Sequence, residues 1–309
     1  MKCIFMGTPD FAAVCLEKLA SSRHEVLAVF SQPDKPVGRK QQILPTVVKA
    51  CALQHGIPVY QPPTLKDGSA LAQINQLQPD IIIVVAYGKI LPTEILHAAK
   101  YGCVNEHASL LPKYRGAAPI QWAVLNGDRL TGVCIMQMDA GLDTGDILYT
   151  VKTDIGPNET SAELFDRLAV LGADALLKTL DLIESGEAVP QKQPQGDGFY
   201  ASRITKDMAP IDWSRSAAQI HNQIRGLQTW PCAQTTQNGR VLKLHTSRLT
   251  PFSGGAPGQV TEQNKHLYVT CGDGKWLEIL ELQPAGKKKM DAKSFLSGYP
   301  VQTDTYFGS

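Results

Sequence analysis

Ile81-Ile82-Ile83-Val84-Val85 is a run of five apolar, β-branched residues without a polar interruption. A strand with one face in water alternates apolar and polar residues, whereas a continuous run is typical of a strand buried on both faces. Cys3-Ile4-Phe5-Met6, Val26-Leu27-Ala28-Val29-Phe30 and Val133-Cys134-Ile135-Met136 have the same character. These four segments predict the strands of one mostly parallel sheet that is covered by helices on both sides.

Amphipathic segments alternate with the predicted strands. Residues 10–20 and 46–55 are predicted helices, and Gly7-Thr8-Pro9 supplies a cap and a proline for the start of the first. A later helix begins with the capping box Thr160-Ser161-Ala162-Glu163 and ends near Gly186. This alternation predicts an α/β protein with a doubly wound sheet. Gly7-Thr8-Pro9 is not a Gly-x-Gly-x-x-Gly motif, so it does not indicate NAD.

The sequence changes character in its last third. Residues 187–206 are rich in Pro, Gly and Gln, as in a linker. Beyond a helix that contains residues 217–226, short strand-like runs are broken by Gly and Pro, which is typical of a small β-barrel. These runs cover residues 240–249, 258–270 and 276–283. We therefore predict a first domain over residues 1–189, a linker over 190–206 and a β-barrel domain over 207–309.

Composition places few limits on function. The chain has 309 residues, of which 43% are hydrophobic and 19% charged, as in ordinary globular proteins. We expect neither a signal peptide nor a membrane span. Seven cysteines without a Cys-x-x-Cys pair fit neither a disulfide framework nor a zinc knuckle, so we expect a cytoplasmic protein. Residues 207–309 hold 11 Lys and Arg against 8 Asp and Glu, which would permit an RNA contact without predicting one.

The candidate chemistry is concentrated in two stretches. Asn105 and His107 stand two apart at the end of a predicted strand, so both side chains leave the same face. Asp143 follows 36 positions after His107 in a glycine-rich segment. An amide and a protonated imidazole both donate hydrogen bonds to an oxygen that becomes negative, and a carboxylate keeps the imidazole charged. Each residue alone is more often structural, but together they predict a site that makes or breaks a carbonyl adduct.

The pattern Asn-x-His-x-Ser-Leu-Leu-Pro with a following Asp resembles the formyltransferases that use 10-formyltetrahydrofolate. The similarity extends from Phe5-Met6-Gly7-Thr8-Pro9 to Pro284-Ala285-Gly286-Lys287-Lys288, and is greatest to the members that formylate initiator methionyl-tRNA. It implies a Rossmann-like first domain and a C-terminal barrel of OB type that helps to hold tRNA.

The chain departs from the family at Glu106, where Val or Ile is typical. On a strand, Glu106 would point away from Asn105 and His107 into an apolar layer. An unpaired buried carboxylate costs several kcal/mol, so we expect Glu106 to be paired with a base or turned towards water.

The resemblance implies roles for individual residues. Asn105 and His107 would meet the tetrahedral oxyanion, while Asp143 would order a water and assist the proton transfer that lets N10 leave. No covalent enzyme intermediate is needed, and no nucleophilic Ser or Cys is placed for one. A metal is also unnecessary, and His221, His245 and His266 lack ligand spacing. The residues implied to bind the folate are Lys89, Ile90 and Leu91 around the pterin and Ser109, Leu110, Leu111 and Pro112 in a loop beside it. Plain core packing is an equally open interpretation for the Ile and Leu side chains.

Two basic segments are implied to contact tRNA. One is a loop over residues 31–40, broken by Pro and Gly, with Lys35, Arg39 and Lys40; its Arg39 would help to select a weak first base pair. The other is Lys287-Lys288-Lys289, which could be a phosphate contact or only a solvated turn.

Other functions on this scaffold stay open. Another folate-dependent formyltransferase or a hydrolase would keep the same motif, although we expect nucleotide-sugar formyltransferases to continue into another large domain. A non-catalytic protein that binds RNA or folate is a further alternative, but it would have no use for Asn105, His107 and Asp143 together. We expect the chain to act as a monomer.

Overall fold

A computed structural model of the chain describes residues 1–37, 41–194, 198–302 and 304–308. The chain divides into two compact units, and neither is continuous in sequence. The first unit comprises Met1–Gly116, Thr131–Thr153 and Phe165–Tyr200, and the second comprises Ala117–Leu130, Asp154–Leu164 and Ala201–Ser309. Two internal segments therefore group with the C-terminal residues. The domain boundaries at residues 189 and 207 stay a prediction.

Strands and helices alternate through the first half of the chain. The helices are α1 (Asp10–Ala20), α2 (Val47–Gln54), α3 (Ser69–Leu77), α4 (Thr93–Leu96), α5 (Pro119–Leu125), α6 (Ser161–Ser185), α7 (Ala217–Gly226) and α8 (Ala292–Gly298). The strands are β1 (Lys2–Gly7), β2 (Glu25–Phe30), β3 (Lys35–Val37), β4 (Gln42–Leu44), β5 (Val59–Tyr60), β6 (Ile81–Val85), β7 (Cys103–His107), β8 (Leu130–Gln137), β9 (Ile147–Asp154), β10 (Ala233–Gln237), β11 (Arg240–Ser253), β12 (Val260–Gln263), β13 (His266–Thr270), β14 (Lys275–Pro284) and β15 (Met290–Asp291).

The first unit is built on a sheet with the strand order β5-β2-β1-β6-β7-β8-β9. Pairing is parallel from β5 to β7 and becomes antiparallel between β7 and β8. The chain moves outward from β1 to β2 and β5, then returns to place β6 and β7 on the other side of β1. The carboxyl ends of β1 and β6 therefore flank a topological switch point, where open α/β sheets bind ligands.

Helices cover both faces of this sheet, which confirms the predicted doubly wound arrangement. Ile4 and Ile82 are fully buried in a cluster that includes Ile74 of α3 and Ile95 of α4. On the other face α1 and α6 meet, and the ring of Phe11 lies edge-on to that of Phe165 with centroids 5.2 Å apart. The alternating directions of side chains along each strand supply both layers, which explains why the strands are apolar throughout.

The predicted helix limits follow local signals. The helix expected over residues 10–20 is α1, and the one expected over 46–55 is α2. Thr46 caps the start of α2, where its hydroxyl oxygen accepts a hydrogen bond from the Lys49 amide at 3.1 Å. At the start of α6, the Glu163 carboxylate accepts from the Thr160 amide at 2.8 Å and the Thr160 hydroxyl accepts from the Glu163 amide at 3.2 Å. That reciprocal pair is the predicted capping box. Within the described ranges, no helix is both long and apolar enough to cross a bilayer.

The second unit contains an antiparallel sheet in the order β10-β11-β14-β13-β12, with β15 beside β14. Its core includes Ile220 of α7, Leu277 of β14 and Phe295 of α8, each at most 1% exposed. The run predicted over 258–270 is two strands, because Asn264 and Lys265 adopt positive φ and form a turn. The expected C-terminal β domain is confirmed.

Candidate functional site

β7 places Asn105 and His107 on one face at the carboxyl end of the sheet. Asn105 is opposite Val84 of β6 and Met136 of β8. His107 is 6% exposed, and Asn105 is half-buried. The hydrogen-bonding ladder on both sides of β7 fixes the direction of the two side chains, so the strand presents an amide and an imidazole together.

The two ring nitrogens of His107 have different surroundings. Nε2 lies 2.8 Å from the carbonyl oxygen of Tyr114, and Nδ1 lies 3.8 Å from Oδ2 of Asp143. A carbonyl can only accept, so Nε2 carries a hydrogen and the ring is oriented by the backbone. At 3.8 Å the carboxylate is too far for a direct hydrogen bond but close enough to stabilise a charged ring. The Nδ1 position therefore remains available for a reacting oxygen.

The loop that carries Asp143 is held in a strained turn. Asp143 has a φ of 53°, and its Oδ2 accepts a hydrogen bond from the Gly116 amide at 2.8 Å. A Cβ on Gly145 would lie 1.7 Å from the carbonyl oxygen of Gln137, so only glycine fits there. The glycine at position 145 thus lets the backbone of this loop approach that of Gln137 closely. The Gly116 amide fixes the position of the Asp143 carboxylate that faces His107.

Gln193 links this loop to the segment that follows β7. Its Nε2 donates to the carbonyl oxygens of Asp143 and Gly145 at 2.9 and 2.8 Å. Its Oε1 accepts from Nε and Nη2 of Arg115 at 3.0 and 2.5 Å. Sequence reasoning missed Gln193 and placed it in the linker, because a contact between residues 50 positions apart leaves no periodic signal.

Glu106 points away from Asn105 and His107, as predicted, but it is neither paired with a base nor turned towards water. It is 5% exposed; Oε2 accepts from the Cys15 thiol at 2.9 Å, and Oε1 has no partner among the described residues. A Cβ on Gly172 of α6 would lie 1.7 Å from Oε1, so that glycine makes room for the carboxyl. Burial raises the pKa of Glu106 to about 8, and the group is accommodated in its neutral form.

The residues expected around the pterin follow β6 at the switch point. The ammonium group of Lys89 donates to the carbonyls of Pro62 and Pro63, and burial, with the nearby charge of Lys35, lowers its pKa. The side chain of Ile90 is 88% exposed, whereas Leu91 is 6% exposed and belongs to the core. Core packing is therefore the right interpretation for the side chain of Leu91. The side chain of Ile90 points to the surface, where it is accessible to a ligand.

A cavity of about 510 Å³ adjoins this segment. It is lined by Leu65, Lys66, Gly68, Leu71, Ile90, Pro92, Thr93, Glu94 and Ile95. Of the expected folate residues it includes Ile90 alone, and its lining does not include His107 or Asp143. The lining is mainly apolar and includes two charged side chains, Lys66 and Glu94. Such a cavity suits an aromatic ligand with a polar end.

The loop after β7 has an inward-facing part. Ser109 is buried, and its hydroxyl donates to the Lys113 carbonyl at 2.7 Å. Leu111 is 7% exposed and packs with Cys134, whereas Leu110 and Pro112 are half-buried. This turn positions the Tyr114 carbonyl that orients His107, so part of its role is to support the site.

The basic residues expected to contact RNA differ in their surroundings. Lys35 is exposed on β3, which pairs with β4 in a short hairpin, so the expected loop is partly regular. Arg39 and Lys40 lie outside the described residues. Lys287 and Lys288 are exposed in the turn between β14 and β15, but Lys289 is in an ion pair with Glu281 at 2.8 Å. Lys289 would have to exchange this partner for a phosphate.

An open α/β sheet with a His and Asp pair at the carboxyl end of β7, the strand next to β6 at the switch point, is typical of an α/β enzyme. The chain belongs to the formyl transferase family. The model of the formyl transferase family matches residues 1–180, and that of the formyl transferase C-terminal domain matches residues 203–300.

Curated relatives match the whole length of the chain. It is 48% identical over 303 residues to the methionyl-tRNA formyltransferase of Trichlorobacter lovleyi, which covers 98% of this chain and 95% of the relative. It is 46% identical over 309 residues to the methionyl-tRNA formyltransferase of Alkaliphilus oremlandii, with 100% of both chains covered.

Solved structures share the fold. A sugar 3N-formyl transferase, solved in the presence of dTDP and 5-N-formyl-THF, has a TM-score of 0.71 at 22% identity, covering 93% of this chain and 99% of its own. The N-formyltransferase of Helicobacter canadensis, in complex with folinic acid and dTDP-3-aminofucose, has a TM-score of 0.70 at 23% identity. The expectation that sugar formyltransferases continue into another large domain is wrong for both, since 99% and 98% of their chains are matched.

Proposed function

We propose that this chain transfers the formyl group of 10-formyltetrahydrofolate to the α-amino group of initiator methionyl-tRNA. The observation that carries the proposal is the placement of Nδ1 of His107 3.8 Å from Asp143 at the end of β7. Membership of the formyl transferase family and relatives that match over the whole chain support the reaction and the acceptor.

The reaction forms one C–N bond and breaks another. The amine attacks the formyl carbon, and the carbonyl oxygen becomes negative in the tetrahedral adduct. The Asn105 amide and the Nδ1 hydrogen of His107 donate to that oxygen, while Asp143 stabilises the charged ring. The amine nitrogen loses a proton in the adduct, and collapse expels N10 of the folate, which takes up a proton; Asp143 assists this net transfer from the amine to N10 through water. Tyr114 keeps Nε2 occupied, so Nδ1 is the nitrogen that acts.

The donor would occupy the switch point beside Lys89, Ile90 and Leu91. Thr8 and Gln32 each donate to the Tyr87 carbonyl, at 3.1 and 3.0 Å, and thereby hold the segment after β6 against the segments after β1 and β2. The pterin would be bound by backbone groups of this segment, with the Ser109 to Pro112 loop on its other side. The exposed side chain of Ile90 would cover the bound ring.

The acceptor RNA would be bound by both basic segments. We assign Lys35, Arg39 and Lys40 to the acceptor end, and Lys287, Lys288 and Lys289 to phosphates. In this proposal, residues 1–189 form the catalytic domain and residues 207–309 form the domain that binds tRNA. Residues 190–206 are the linker that connects them. We place the monomeric chain in the reducing cytoplasm, in keeping with seven free thiols.

A formylation assay with three acceptors tests the proposal. With 10-formyltetrahydrofolate as donor, we expect rapid formylation of initiator methionyl-tRNA, slow formylation of elongator methionyl-tRNA and none of a dTDP-amino sugar. Arg39→Ala should narrow the ratio between the two tRNAs without changing donor affinity. Preference for the amino sugar would overturn the assigned acceptor, and a change in donor affinity with the tRNA ratio intact would overturn the role of Arg39.

A further inference from the structure

A cluster of three different metal-ligating groups lies on α1, on α2 and at the residue that follows α2, outside the site described above. Nε2 of His55 is 2.9 Å from Oε2 of Glu17, and the thiol of Cys51 donates to that same oxygen at 3.5 Å. All three ligand atoms lie within 4.8 Å of one another. A carboxylate, an imidazole and a thiol thus converge on one point.

The positions of the three residues on or next to two packed helices explain why their ligand atoms lie close together. Cys51 lies in the last turn of α2, and His55, four positions later, is the residue that caps its carboxyl end, so their side chains lie on the same side about one turn apart. Glu17 comes from α1, which packs against α2. Cys51 is 8% exposed, whereas the Glu17 side chain is 57% exposed and can change its rotamer without disturbing the core.

We propose that Glu17, Cys51 and His55 form a binding site for Zn²⁺ that links α1 to α2. A tetrahedral zinc ion with bonds of roughly 2.0 to 2.3 Å holds its ligand atoms about 3.3 to 3.7 Å apart. The two separations that involve Glu17, 2.9 and 3.5 Å, are within a few tenths of an ångström of that geometry, and the Cys51 and His55 ligand atoms are no more than 4.8 Å apart. Three protein ligands leave the fourth position to a water molecule.

The ligand types decide the class of cation. A thiolate and an imidazole favour Zn²⁺ and its spectroscopic substitute Co²⁺, whereas Mg²⁺ and Ca²⁺ prefer sets of oxygen ligands. Zinc binding would replace the thiol proton and connect two helices that are otherwise joined by packing and by the hydrogen bonds to Glu17.

Titration of the full chain with Co²⁺ tests the site directly. We expect one Co²⁺ per chain, with a thiolate-to-cobalt charge-transfer band that Zn²⁺ abolishes and Mg²⁺ does not. Zn²⁺ should also raise the Tm of the wild-type chain. The band should be absent from Cys51→Ser and His55→Ala, and Glu17→Gln, an exposed substitution that preserves the fold, should weaken binding at least tenfold.

Two matched controls separate this site from general metal affinity. Cys232→Ser changes another buried thiol and His97→Ala another imidazole at a helix end, so both should bind Co²⁺ as the wild type does. Absence of a charge-transfer band at stoichiometric Co²⁺, or its persistence in Cys51→Ser, overturns the proposal. So does equal binding by Glu17→Gln.

Discussion

The thiol of Cys15 in α1 donates a hydrogen bond to Oε2 of Glu106 in β7 at 2.9 Å. This pair lies behind the strand that presents Asn105 and His107 on its other face. A carboxyl group in the apolar layer is stable there only while it keeps its proton. Glu106 lies between Asn105 and His107 on β7. A change in the protonation of this buried carboxyl group therefore acts on the strand that carries both candidate catalytic residues.

Glu106 should make the stability of the protein depend on pH. Its pKa rises from an ordinary value of 4.5 to about 8 on folding, so between these values the folded chain holds a proton that the unfolded chain has lost. The free energy of unfolding should fall as pH rises through this window, by up to about 1.4 kcal/mol per pH unit, and level off above it. Urea unfolding of wild type and Glu106→Gln from about pH 5 to about pH 9 measures this.

Glu106→Gln should lose this slope, and Glu106→Val should raise the Tm at neutral pH with activity retained. The exposed Glu262→Gln is the control, and its pH profile should follow that of the wild type. Parallel profiles for wild type and Glu106→Gln would show that the buried carboxyl is not the source. A large loss of activity in Glu106→Val would assign Glu106 to the chemistry.

His107 and Asp143 should act on the rate and not on RNA affinity. His107→Ala and Asp143→Asn should each lower kcat by about a hundred- to a thousandfold, because each loses stabilisation of the developing charge. Asn105→Ala should lose somewhat less. Single-turnover formylation and filter binding of methionyl-tRNA measure the two quantities, with His97→Ala as a control for loss of an exposed imidazole. Full activity in His107→Ala would refute the mechanism.

Gln193 should act as a positioning residue for Asp143. Gln193→Ala removes the clamp on the Asp143 and Gly145 carbonyls, and we expect kcat to fall about tenfold to a hundredfold with an unchanged KM for the donor. Gln193→Glu can still accept from Arg115 but cannot donate to the two carbonyls, so it should be at least as impaired.

The matched control for Gln193 is Gln191→Ala. Gln191 is exposed, and its bonds to Ile147 use only the backbone. We expect wild-type kcat in this variant. A rise in donor KM with kcat intact in Gln193→Ala would indicate a binding role instead of positioning.

Lys287 and Lys288 should contribute to the salt dependence of tRNA binding. Each phosphate contact adds roughly 0.7 to 0.9 to the slope of log affinity against log salt, so Lys287→Ala/Lys288→Ala should reduce the slope by up to about 1.8. Lys289→Ala should have a smaller effect, because the Lys289 ammonium group is paired with Glu281 and would have to leave that carboxylate to contact a phosphate. Lys265→Ala, in another turn of the same unit, is the control. An unchanged slope in the double variant would remove this turn from the RNA surface.

Point variants are preferable to truncation for this test. Residues 117–130 and 154–164 group with the C-terminal residues, and α5 packs on α7 within the second unit. A fragment ending near residue 206 would keep those segments without their packing partner. Loss of tRNA binding by such a fragment would then combine two causes.

Local features of the sequence determined the elements and their class. The continuous apolar runs at β1 and β6, the helix limits of α1 and the capping box at Thr160 depend on residues close in sequence, whose periodicity and capping chemistry act within one element. The placement of Asn105 and His107 on one face of β7 also follows from the alternation of side chains along a strand.

Tertiary structure alone decided which distant groups meet. Gln193 reaches the Asp143 loop, Glu106 finds a thiol and the space beside Gly172, and Cys51 with His55 meets Glu17. Such contacts depend on how helices and loops pack on the sheet, and spacing along the chain carries no record of that packing. The protonation state of Glu106 has the same origin, since a carboxyl group responds to its desolvation in the folded core and not to its neighbours in sequence.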